Sequence, residues 1–509
     1  MAKKTYSNSI SEFTHENGGR VLILFLLFLF ALYELYTIGI AGIAMVCIIP
    51  ILIIGTYYTF KFKLTIFWIV YVTNYIVMGI NRYYSVPIPI TGLTLIPQII
   101  LLMACVFDIR QHTEAKYLNL MLLGLSIWAA YLVLQILNQT SSLPISFGDW
   151  GYNFTFYSLA FYFAYFLITT LIRDPKDILR LLRIWAILSI IASFWTWRQA
   201  NIGWDDAEWA WLQSGASRTH LIGGSIRYFS FFSDAANFGC SIAASAVAFY
   251  ILAITTKLRK DKILFLITAI CCTYGFFMSG TRSGLMCFLV GVSCYVILSK
   301  SFQIAIPVAI LGSIFFFILA FTQIGQGNMQ IRRMRSAFDK NDKSANVRDV
   351  NKAALKKYLK DAPFGLGFNI NENSVPANHK YKIVYETSND STYVYLWQRV
   401  GIVGAILFAI CNGIILFGGS LITMFSLKNR ACIGIGAAFC CAFLSIHAGG
   451  YANHILLQYP NVLLYYGGMA IVYLLPDIEK EYELYENKLL SEQEERKRLK
   501  LEKKKQSRV

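Results

Sequence analysis

Apolar runs of about 17–24 residues recur along the chain and alternate with short polar segments. A helix of that length spans the hydrocarbon core of a bilayer, so each run predicts a transmembrane helix. The fold class is therefore predicted to be all-α, a polytopic membrane helix bundle with about fourteen transmembrane helices. The predicted spans are 21–37, 38–60, 64–80, 91–107, 118–136, 153–172, 184–200, 235–256, 262–279, 284–299, 304–322, 401–426, 431–447 and 460–476.

Lysine and arginine in the short loops alternate between the two sides of this bundle. With the N-terminus inside, the inner loops carry basic residues such as Lys61 and Lys116, whereas the outer loop 138–153 carries none. This positive-inside pattern predicts that both chain termini lie in the cytoplasm. It also predicts an outer, periplasmic position for the long loop 323–400, since long loops cross the membrane largely regardless of their charge.

The composition divides the chain into three segments. Residues 1–20 are polar and predict a cytoplasmic N-terminal segment without an evident cleavable signal peptide. Residues 21–476 form the predicted membrane domain, which includes the loop 323–400. Residues 477–509 are rich in Glu, Lys and Arg and predict a charged cytoplasmic tail that forms a solvated helix.

The long loop contains one predicted helix, at 344–360. Its helical spacing places four apolar residues on one face, namely Val347, Val350, Ala354 and Tyr358. Lysines fall toward another face, which is typical of a helix lying on the membrane surface with solvated charges. A basic lid over an anionic substrate is the alternative.

Composition excludes a soluble protein and argues against a nucleic-acid partner. The chain is 56% hydrophobic with a mean hydropathy of +0.51, and its net charge of +17 lies mainly in loops and in the tail. Orientation in the membrane requires basic loops, and the sequence has no DNA- or RNA-binding motif. All eleven cysteines lie in apolar runs without metal-ligand spacing, so neither a disulfide framework nor a zinc site is predicted. Asp205 and Asp206 could bind Mg²⁺, but adjacent acidic residues in a loop are more typical of solvated groups.

Two arginines stand beside predicted spans, where a charge is costly. Arg282 lies in the segment 278–285 between two apolar runs, and Arg227 precedes the span 235–256. A guanidinium offers a rigid fork of donors that fits phosphate, so the pair predicts a site for a lipid-linked phosphate. The alternative is that each arginine only anchors a helix end by reaching the interface. The tryptophans within 204–211 are typical of an aromatic belt, although they could also stack on a sugar.

Five features, in this order and topology, resemble one known family. They are the arginine segment 227–239, the Ser-Gly-Thr-Arg-Ser-Gly turn 279–284, Arg348 on the loop helix, the Pro-Phe-Gly-Leu-Gly element within 362–367, and the membrane-re-entering segment 390–404. Together they are similar to the O-antigen ligase and polymerase superfamily, whose multi-pass enzymes handle polyprenyl-pyrophosphate-linked glycans. The resemblance covers about residues 220–410, and the spans before it agree only in kind.

The resemblance implies a metal-independent glycosyltransferase in the bacterial inner membrane, with its active site facing the periplasm. The implied donor is a glycan on undecaprenyl pyrophosphate, and the implied acceptor is a hydroxyl of lipid A core, of a glycan or of a protein. Because diphosphate is already a stable leaving group, catalysis needs mainly charge stabilisation and a base for the acceptor. The resemblance assigns catalysis to Arg227 and Arg282, and substrate binding to these arginines with Arg348 and Ser279. It implies no cofactor; membrane lipids and the two substrates are the implied partners.

The family often has histidine at the start of the re-entering segment, where this chain has Asp390. A carboxylate can take a proton from a sugar hydroxyl, so Asp390 is predicted to be the catalytic base, although its usual pKa of about 3.9 makes it a weak one unless burial raises the pKa. His379 and Glu386 are nearby rivals, and an aspartate before an apolar helix is also a common cap. For His447 and His454, which flank an outer loop, packing or interfacial roles are predicted.

The superfamily pattern leaves the final product open. A ligase in lipopolysaccharide biosynthesis, an O-antigen or exopolysaccharide polymerase, and a transferase to protein would share the donor site, and we favour a ligase-like enzyme. A glycolipid flippase or other transporter is the alternative from a different class. Transporters typically show internal repeats and helices broken at the midplane. This sequence has no convincing repeat, and its marked polar features collect on one face, which favours an enzyme.

Overall fold

The computed structural model describes residues 53–83, 90–111, 117–222, 225–299, 302–336, 343–387 and 391–506, together with single positions between 19 and 36. The chain divides into two compact units, residues 1–66 and residues 67–509. The residues that form the candidate site all belong to the second unit.

The described residues are predominantly helical. One antiparallel pair of two-residue strands, β1 (Leu221–Ile222) and β2 (Ser225–Ile226), lies in a loop between helices. The helices in chain order are α1 (Lys63–Tyr83), α2 (Ile90–Gln111), α3 (Leu120–Leu134), α4 (Phe147–Leu171), α5 (Pro175–Asn201), α6 (Asp206–Trp211), α7 (Ser217–His220), α8 (Ala235–Thr255), α9 (Arg259–Met278), α10 (Arg282–Leu298), α11 (Phe302–Phe321), α12 (Met329–Arg335), α13 (Lys343–Leu359), α14 (Lys382–Glu386), α15 (Thr392–Ser426), α16 (Arg430–Ala452) and α17 (Gly467–Gln506).

Nine helices within the described residues are long and apolar enough to cross a membrane. Shorter apolar helices lie at Thr94–Val106, Arg282–Leu298 and Ile306–Ile318. Every predicted span from 64–80 onward overlaps a described helix, which confirms the helical membrane fold. The count of about fourteen spans stays a prediction, because the first two predicted spans lie mainly outside the described residues.

Helix α8 lies in the middle of the second unit and packs against α9, α10 and α16, with 89% of its membrane-length window buried. It is rich in alanine, glycine and serine, and small residues let helix backbones approach closely inside a membrane. A Cβ atom on Gly284 of α10, for example, would lie 3.0 Å from the carbonyl oxygen of Gly239 in α8. This close packing fixes the relative positions of the starts of α8 and α10, where Asp234 and Arg282 lie.

Helix α15 is broken near its start, at Gly401, which adopts φ 73° and ψ 178°. The Pro-Phe-Gly-Leu-Gly element fills the break: the N–H of Leu366 donates to the carbonyl of Gln398 at 2.9 Å, and the N–H of Val403 donates to the carbonyl of Pro363 at 3.2 Å. The two backbones are so close that a Cβ on Gly365 would lie 2.3 Å from the nitrogen of Gly401. The loop element therefore replaces the helical hydrogen bonds that the break removes.

The predicted loop helix is present as α13, and its buried face matches the prediction only in part: Tyr358 is partly buried, as predicted, but the fully buried residues are others. Leu355 and Leu359 are the buried residues, and they belong to a small apolar cluster formed within the long loop and the start of α15. Val350, which was predicted to lie on the apolar face, is 68% exposed. Lys352 lies over the ring of Tyr451 at 5.1 Å. The spacing of apolar residues could not decide whether the face through Val350 or the face through Leu355 would be buried, because the packing partners come from elsewhere in the loop.

The charged tail continues the last helix, since α17 runs without interruption through Pro476 to Gln506. Its first turns pack on the body of the protein: Tyr482 and Glu486 are buried, and Lys257 lies 3.5 Å from Glu486. Glu479 accepts the backbone N–H groups that precede α16, at 2.6 Å each. This part of the tail is therefore docked, rather than solvated on all sides as predicted.

Candidate anion-binding site

The loop between α5 and α8 is held by a buried ion-pair network. Arg198, in the last turn of α5, donates to the two carboxylate oxygens of Glu208 at 2.8 and 2.9 Å and to Asp205 at 3.1 Å. Asp205 and Glu208 also form a capping box at the start of α6, which satisfies backbone N–H groups at that end. Asp205 is thus engaged by Arg198 and by the helix cap, which leaves little support for a magnesium site at Asp205 and Asp206.

His220 fastens the same loop to the start of α8. Its Nε2 accepts the backbone N–H of Ala235 at 3.1 Å, so Nδ1 carries the proton and donates to the carbonyl of Ala216 at 2.9 Å. Burial lowers the pKa of His220 to about 4, which keeps the ring neutral at neutral pH. The backbone N–H of Arg227 donates to the carbonyl of His220 at 2.9 Å, so the histidine also positions Arg227.

Arg82, at the end of α1, holds the chain that follows Arg227. Its guanidinium donates to the carbonyls of residues 230, 232 and 233 and lies 4.3 Å from the ring of Trp211 and 4.4 Å from that of Phe229. Trp204 packs into the same aromatic cluster, whereas Trp209 is 44% exposed. Trp204 and Trp211 are therefore internal packing residues. The sequence analysis did not single out Arg82.

Arg227 lies partly buried between β2 and α8. Its terminal nitrogens donate to the carbonyl of Thr219 and to the hydroxyl of Thr281, each at 3.0 Å. Its Nε has no hydrogen-bond partner among the residues that the structure describes. Burial, followed by the positive charges of Arg333 and Arg282, lowers the pKa of Arg227 to about 10. The side chain is still charged at neutral pH, and it is held against the turn that leads into α10.

That turn joins α9 to α10 and presents Arg282. The hydroxyl of Ser279 donates to the carbonyl of Phe276 at 2.6 Å and accepts the N–H of Thr281 at 3.2 Å. The hydroxyl of Thr281 donates to the carbonyl of Ala235 at 2.8 Å, which ties the turn to the start of α8. Ser279 is fully buried, so its hydroxyl closes the turn and is not directed at a ligand.

A third arginine reaches the same turn from the long loop. Arg333, on α12, donates from Nε to the carbonyl of Gly280 at 2.9 Å, and Gln330 on the same helix donates to the carbonyl of Ile226 at 2.7 Å. Helix α12 is thus docked between the strand before Arg227 and the turn before Arg282. Sequence reasoning missed Arg333, because it is one of many basic residues in a long loop and nothing in the spacing shows where α12 packs.

Arg227, Arg282 and Arg333 together form what we call the arginine cluster. The charges of Arg333 and Arg282 oppose protonation of Arg227, and the carboxylate of Asp234 partly offsets them. Asp234 is also engaged as the N-cap of α8, accepting two backbone N–H groups at 2.7 and 2.9 Å. An excess of guanidinium charge beside a helix N-terminus favours the binding of a multiply charged anion.

The structure does not describe the side chains of two predicted site residues. Asp390 lies outside the described residues, and for Arg348 the structure describes the backbone of α13 but not the side chain. Ser391, directly after Asp390, is the N-cap of α15 and accepts the N–H of Val394 at 3.4 Å. The helix cap that was considered for Asp390 is therefore provided by Ser391.

The two rivals of Asp390 are engaged in other contacts. Nδ1 of His379 accepts the backbone N–H of Tyr381 at 3.3 Å, and its Nε2 donates to the carbonyl of Ser141 at 3.0 Å, so both ring nitrogens hold the loop together. Glu386 is largely exposed and lies 3.5 Å from Lys382 of the same helix.

The loop between α16 and α17 connects the arginine cluster to the start of α15. The side-chain amide of Asn453 donates to the hydroxyl of Ser283, next to Arg282, and the backbone carbonyl of Asn453 accepts the N–H of Thr392 at 3.4 Å. Gln458 accepts the hydroxyl of Ser233 at 2.6 Å, beside Asp234. The sequence analysis gave this loop no role at the site, although the loop joins the turn 279–284 to the segment 390–404, two of the features that carry the resemblance.

Among the residues that the structure describes, no group of three or more His, Cys, Asp or Glu side chains is arranged to hold a metal ion. The ten described cysteines are free thiols, and most are buried among the helices.

Residues 266–409 match the family model described as O-antigen ligase. The matched segment includes Arg282, Arg333, α13 and the broken start of α15, whereas Arg227 lies before it. The match confirms the predicted resemblance to the O-antigen ligase superfamily over this part of the chain. A search of curated proteins finds no match to the chain.

Proposed function

We propose that the protein is an O-antigen ligase-like glycosyltransferase that moves a glycan from an undecaprenyl-pyrophosphate donor to an acceptor hydroxyl. The observation that carries the proposal is the arginine cluster, which gathers Arg227, Arg282 and Arg333 at one end of a membrane helix bundle. The family match supports glycan transfer as the reaction class.

The chemistry of the donor suits such a cluster. In the transfer, the bond between the sugar's anomeric carbon and the diphosphate oxygen breaks, and negative charge develops on the diphosphate. Guanidinium groups that are already fixed by Thr281, Thr219 and Gly280 lose little freedom when they bind that charge. Arginine offers paired donors to phosphate oxygens, so these side chains can stabilise the charge on the diphosphate without a metal ion.

The position of the cluster suits a lipid-linked substrate. Arg282 begins α10, directly after the membrane-length helix α9, and Arg227 is hydrogen-bonded to the turn between these two helices. Both arginines therefore lie where the headgroup of a lipid in the bilayer would be found. The polyprenyl chain would remain in the hydrocarbon while the diphosphate binds at the rim. The positive-inside pattern of the short loops predicts that this rim faces the periplasm of a bacterial inner membrane.

We assign Asp390 as the residue that takes the proton from the acceptor hydroxyl. The assignment rests on the family resemblance and on its place in the chain, immediately before Ser391, which caps the re-entering helix α15. Arg348 remains a proposed substrate contact on the loop helix α13.

The candidate acceptors are lipid A core, a growing glycan and a protein, and of these we favour lipid A core. A glycolipid flippase is the second candidate function. A transporter would be expected to keep its charged substrate contacts near the middle of the membrane. The arginine cluster instead lies at helix ends, which supports an enzyme.

Deletion of the gene followed by analysis of the surface glycan tests the proposal. A ligase predicts uncapped lipid A core and accumulation of the lipid-linked glycan in the outer leaflet. Single-repeat chains would instead identify a polymerase, and accumulation of donor in the inner leaflet would identify a flippase. Unchanged surface glycan and unchanged donor in the deletion strain would refute all three.

A further inference from the structure

A second, chemically different surface adjoins the arginine cluster. It consists of Tyr152, Tyr395, His454 and Tyr459, which we call the aromatic patch. Tyr152 is 57% exposed, and the other three side chains are partly exposed. The rings of Tyr395 and His454 have centroids 4.9 Å apart at 30°, and Tyr152 lies on α4 five residues before Tyr157, whose ring stacks on that of Tyr395.

The patch rests on a rigid base. The buried ring of Tyr157 stacks on Tyr395 at 5.5 Å, and its hydroxyl lies 3.0 Å from Nε2 of His454. Below Tyr395, at 5.4 Å, lies the buried guanidinium of Arg399, which forms an ion pair with Glu372. Because that charge is compensated, the patch presents aromatic faces, phenol hydroxyls and an imidazole rather than a net charge.

His454 supplies a hydrogen-bonding atom to this surface. Its Nε2 is used by Tyr157, and its Nδ1 has no hydrogen-bond partner among the residues that the structure describes. Burial lowers the pKa of His454 to about 4, so the ring is neutral at neutral pH. No charged group contributes to that shift, which agrees with the uncharged character of the patch.

The two surfaces are joined by the loop between α16 and α17. Asn453 contacts the hydroxyl of Ser283, next to Arg282, and His454 follows it directly. At the other side, Asn237 in the first turn of α8 donates to the carbonyl of Tyr459 at 2.9 Å. The loop between α16 and α17 and the first turn of α8 therefore link the aromatic patch to the arginine cluster.

We propose that the aromatic patch is a carbohydrate subsite that binds a sugar ring next to the diphosphate. A pyranose has an apolar face of C–H groups that suits an aromatic ring, and hydroxyls that suit neutral donors and acceptors such as phenols and imidazole. This inference rests on the proposed function, and it assigns the sugar part of the substrate to residues outside the arginine cluster. The sugar belongs either to the donor or to the acceptor, since both must meet at the diphosphate.

The test compares Tyr152→Ala and His454→Gln with the control Tyr451→Ala, which removes an equally exposed tyrosine outside the patch. Membranes from the deletion strain supply the endogenous donor and acceptor. Purified full-length variants are assayed with donor and acceptor fractions from these membranes, and the concentration of each fraction is varied separately. We expect both patch variants to raise the KM for one substrate by about tenfold, while the control stays at the wild-type value. A raised KM for the donor identifies the donor sugar, and a raised KM for the acceptor identifies the acceptor sugar.

A binding measurement separates this subsite from the arginine cluster. Undecaprenyl diphosphate, which carries no sugar, should bind the patch variants as tightly as the wild type. The glycan released from the donor by mild acid should show saturation-transfer NMR signals with wild type and Tyr451→Ala, and weaker ones with Tyr152→Ala. Equal glycan signals and unchanged KM values in both patch variants would overturn the subsite. Failure of undecaprenyl diphosphate to bind the wild type would instead reject the proposed function.

Discussion

At the scale of the residue, Arg227 stands out because its surroundings oppose its charge. Burial and two neighbouring arginines lower its pKa, yet the value of about 10 leaves it protonated at neutral pH. Keeping like charges together in a partly buried place is costly, and that cost is recovered when an anion binds between them. Hydrogen bonds to Thr219 and Thr281 hold the guanidinium in position before the anion arrives.

The first prediction concerns the shape of these side chains as well as their charge. Arg227→Lys and Arg282→Lys keep the positive charge but lose the planar fork, so each should reduce glycan transfer, by roughly 10²-fold or more for a contact made in the transition state. Arg333→Ala should weaken transfer in the same direction. Arg332→Ala, which removes the exposed neighbour on α12, is the matched control and should retain wild-type transfer.

The measurement is transfer by purified protein added to membranes from the deletion strain, with protein amounts matched by gel. Wild-type rates in both Arg→Lys variants would show that charge alone suffices. Equal losses in Arg332→Ala and Arg333→Ala would mean that α12 acts through its general charge and not through the contact with Gly280.

The second prediction separates a catalytic carboxylate from a structural one. Asp390→Asn keeps the shape of the side chain but cannot take a proton, so transfer should fall by roughly 10²–10⁴-fold if Asp390 is the base. Because Ser391 already caps α15, the thermal unfolding temperature should stay near the wild-type value. Binding of undecaprenyl diphosphate should also persist, since the arginines are untouched. An active Asp390→Asn enzyme would remove Asp390 from the mechanism.

Some of these residues were visible in the sequence and others were not. Arg282 could be singled out from the sequence, because a charged residue between two apolar runs is unusual whatever the tertiary structure. Arg333 could not, because its importance arises only when α12 docks on the carbonyl of Gly280. Arg82 was hidden for a similar reason, since a basic residue at the end of a span is ordinary until its contacts with residues 230–233 are known.

At the scale of the element, the break in α15 and the loop element that fills it form one unit. Gly365 and Gly401 both adopt positive φ, at 75° and 73°, and their backbones are in direct contact. The arrangement lets α15 change direction as it leaves the site, without leaving backbone groups unsatisfied. It also anchors the end of the long loop that carries α12 and α13.

The third prediction is that this contact is intolerant of any side chain. Gly365→Ala should destabilise the protein by roughly 1–3 kcal/mol from backbone strain alone, with the steric clash adding to that loss. Gly413→Ala, in α15 beyond the break, is the control, because a Cβ there meets nothing within 4 Å. Thermal unfolding in detergent measures both variants. A Gly365→Ala variant as stable as Gly413→Ala would show that the loop element is not held at the break.

Element positions were predictable to the extent that the bilayer dictates them. The length and hydropathy of runs such as 235–256 and 431–447 gave helices at the right places, because hydrocarbon thickness sets the length of a span. Outside the membrane that constraint is lost. The helix α13 formed as predicted, but its buried face passes through Leu355 and Leu359, because the partners of these residues are tertiary neighbours within the loop.

At the scale of the whole molecule, the two ends of the bundle handle positive charge differently. At the end opposite the arginine cluster, Arg183 forms a bidentate ion pair with Asp261 at 2.7 and 3.0 Å, and the tail contributes Glu486 beside Lys257. These pairs suit basic loops that serve orientation and packing. At the other end, Arg227 faces further arginines, which suits the recruitment of an anion.

The last prediction fixes which end faces outward. If the lysine pattern of the short loops sets the orientation, a cysteine at Asn373 should react with a membrane-impermeant maleimide in intact cells. A cysteine at Ser491, exposed on the tail helix, should react only after the membrane is permeabilised. Background labelling should be low, since nine of the ten described cysteines are buried and Cys271 is only partly exposed; the wild-type chain provides the correction. The opposite labelling pattern would place the arginine cluster on the cytoplasmic side, and transfer to an acceptor on the periplasmic side would then be impossible at this site.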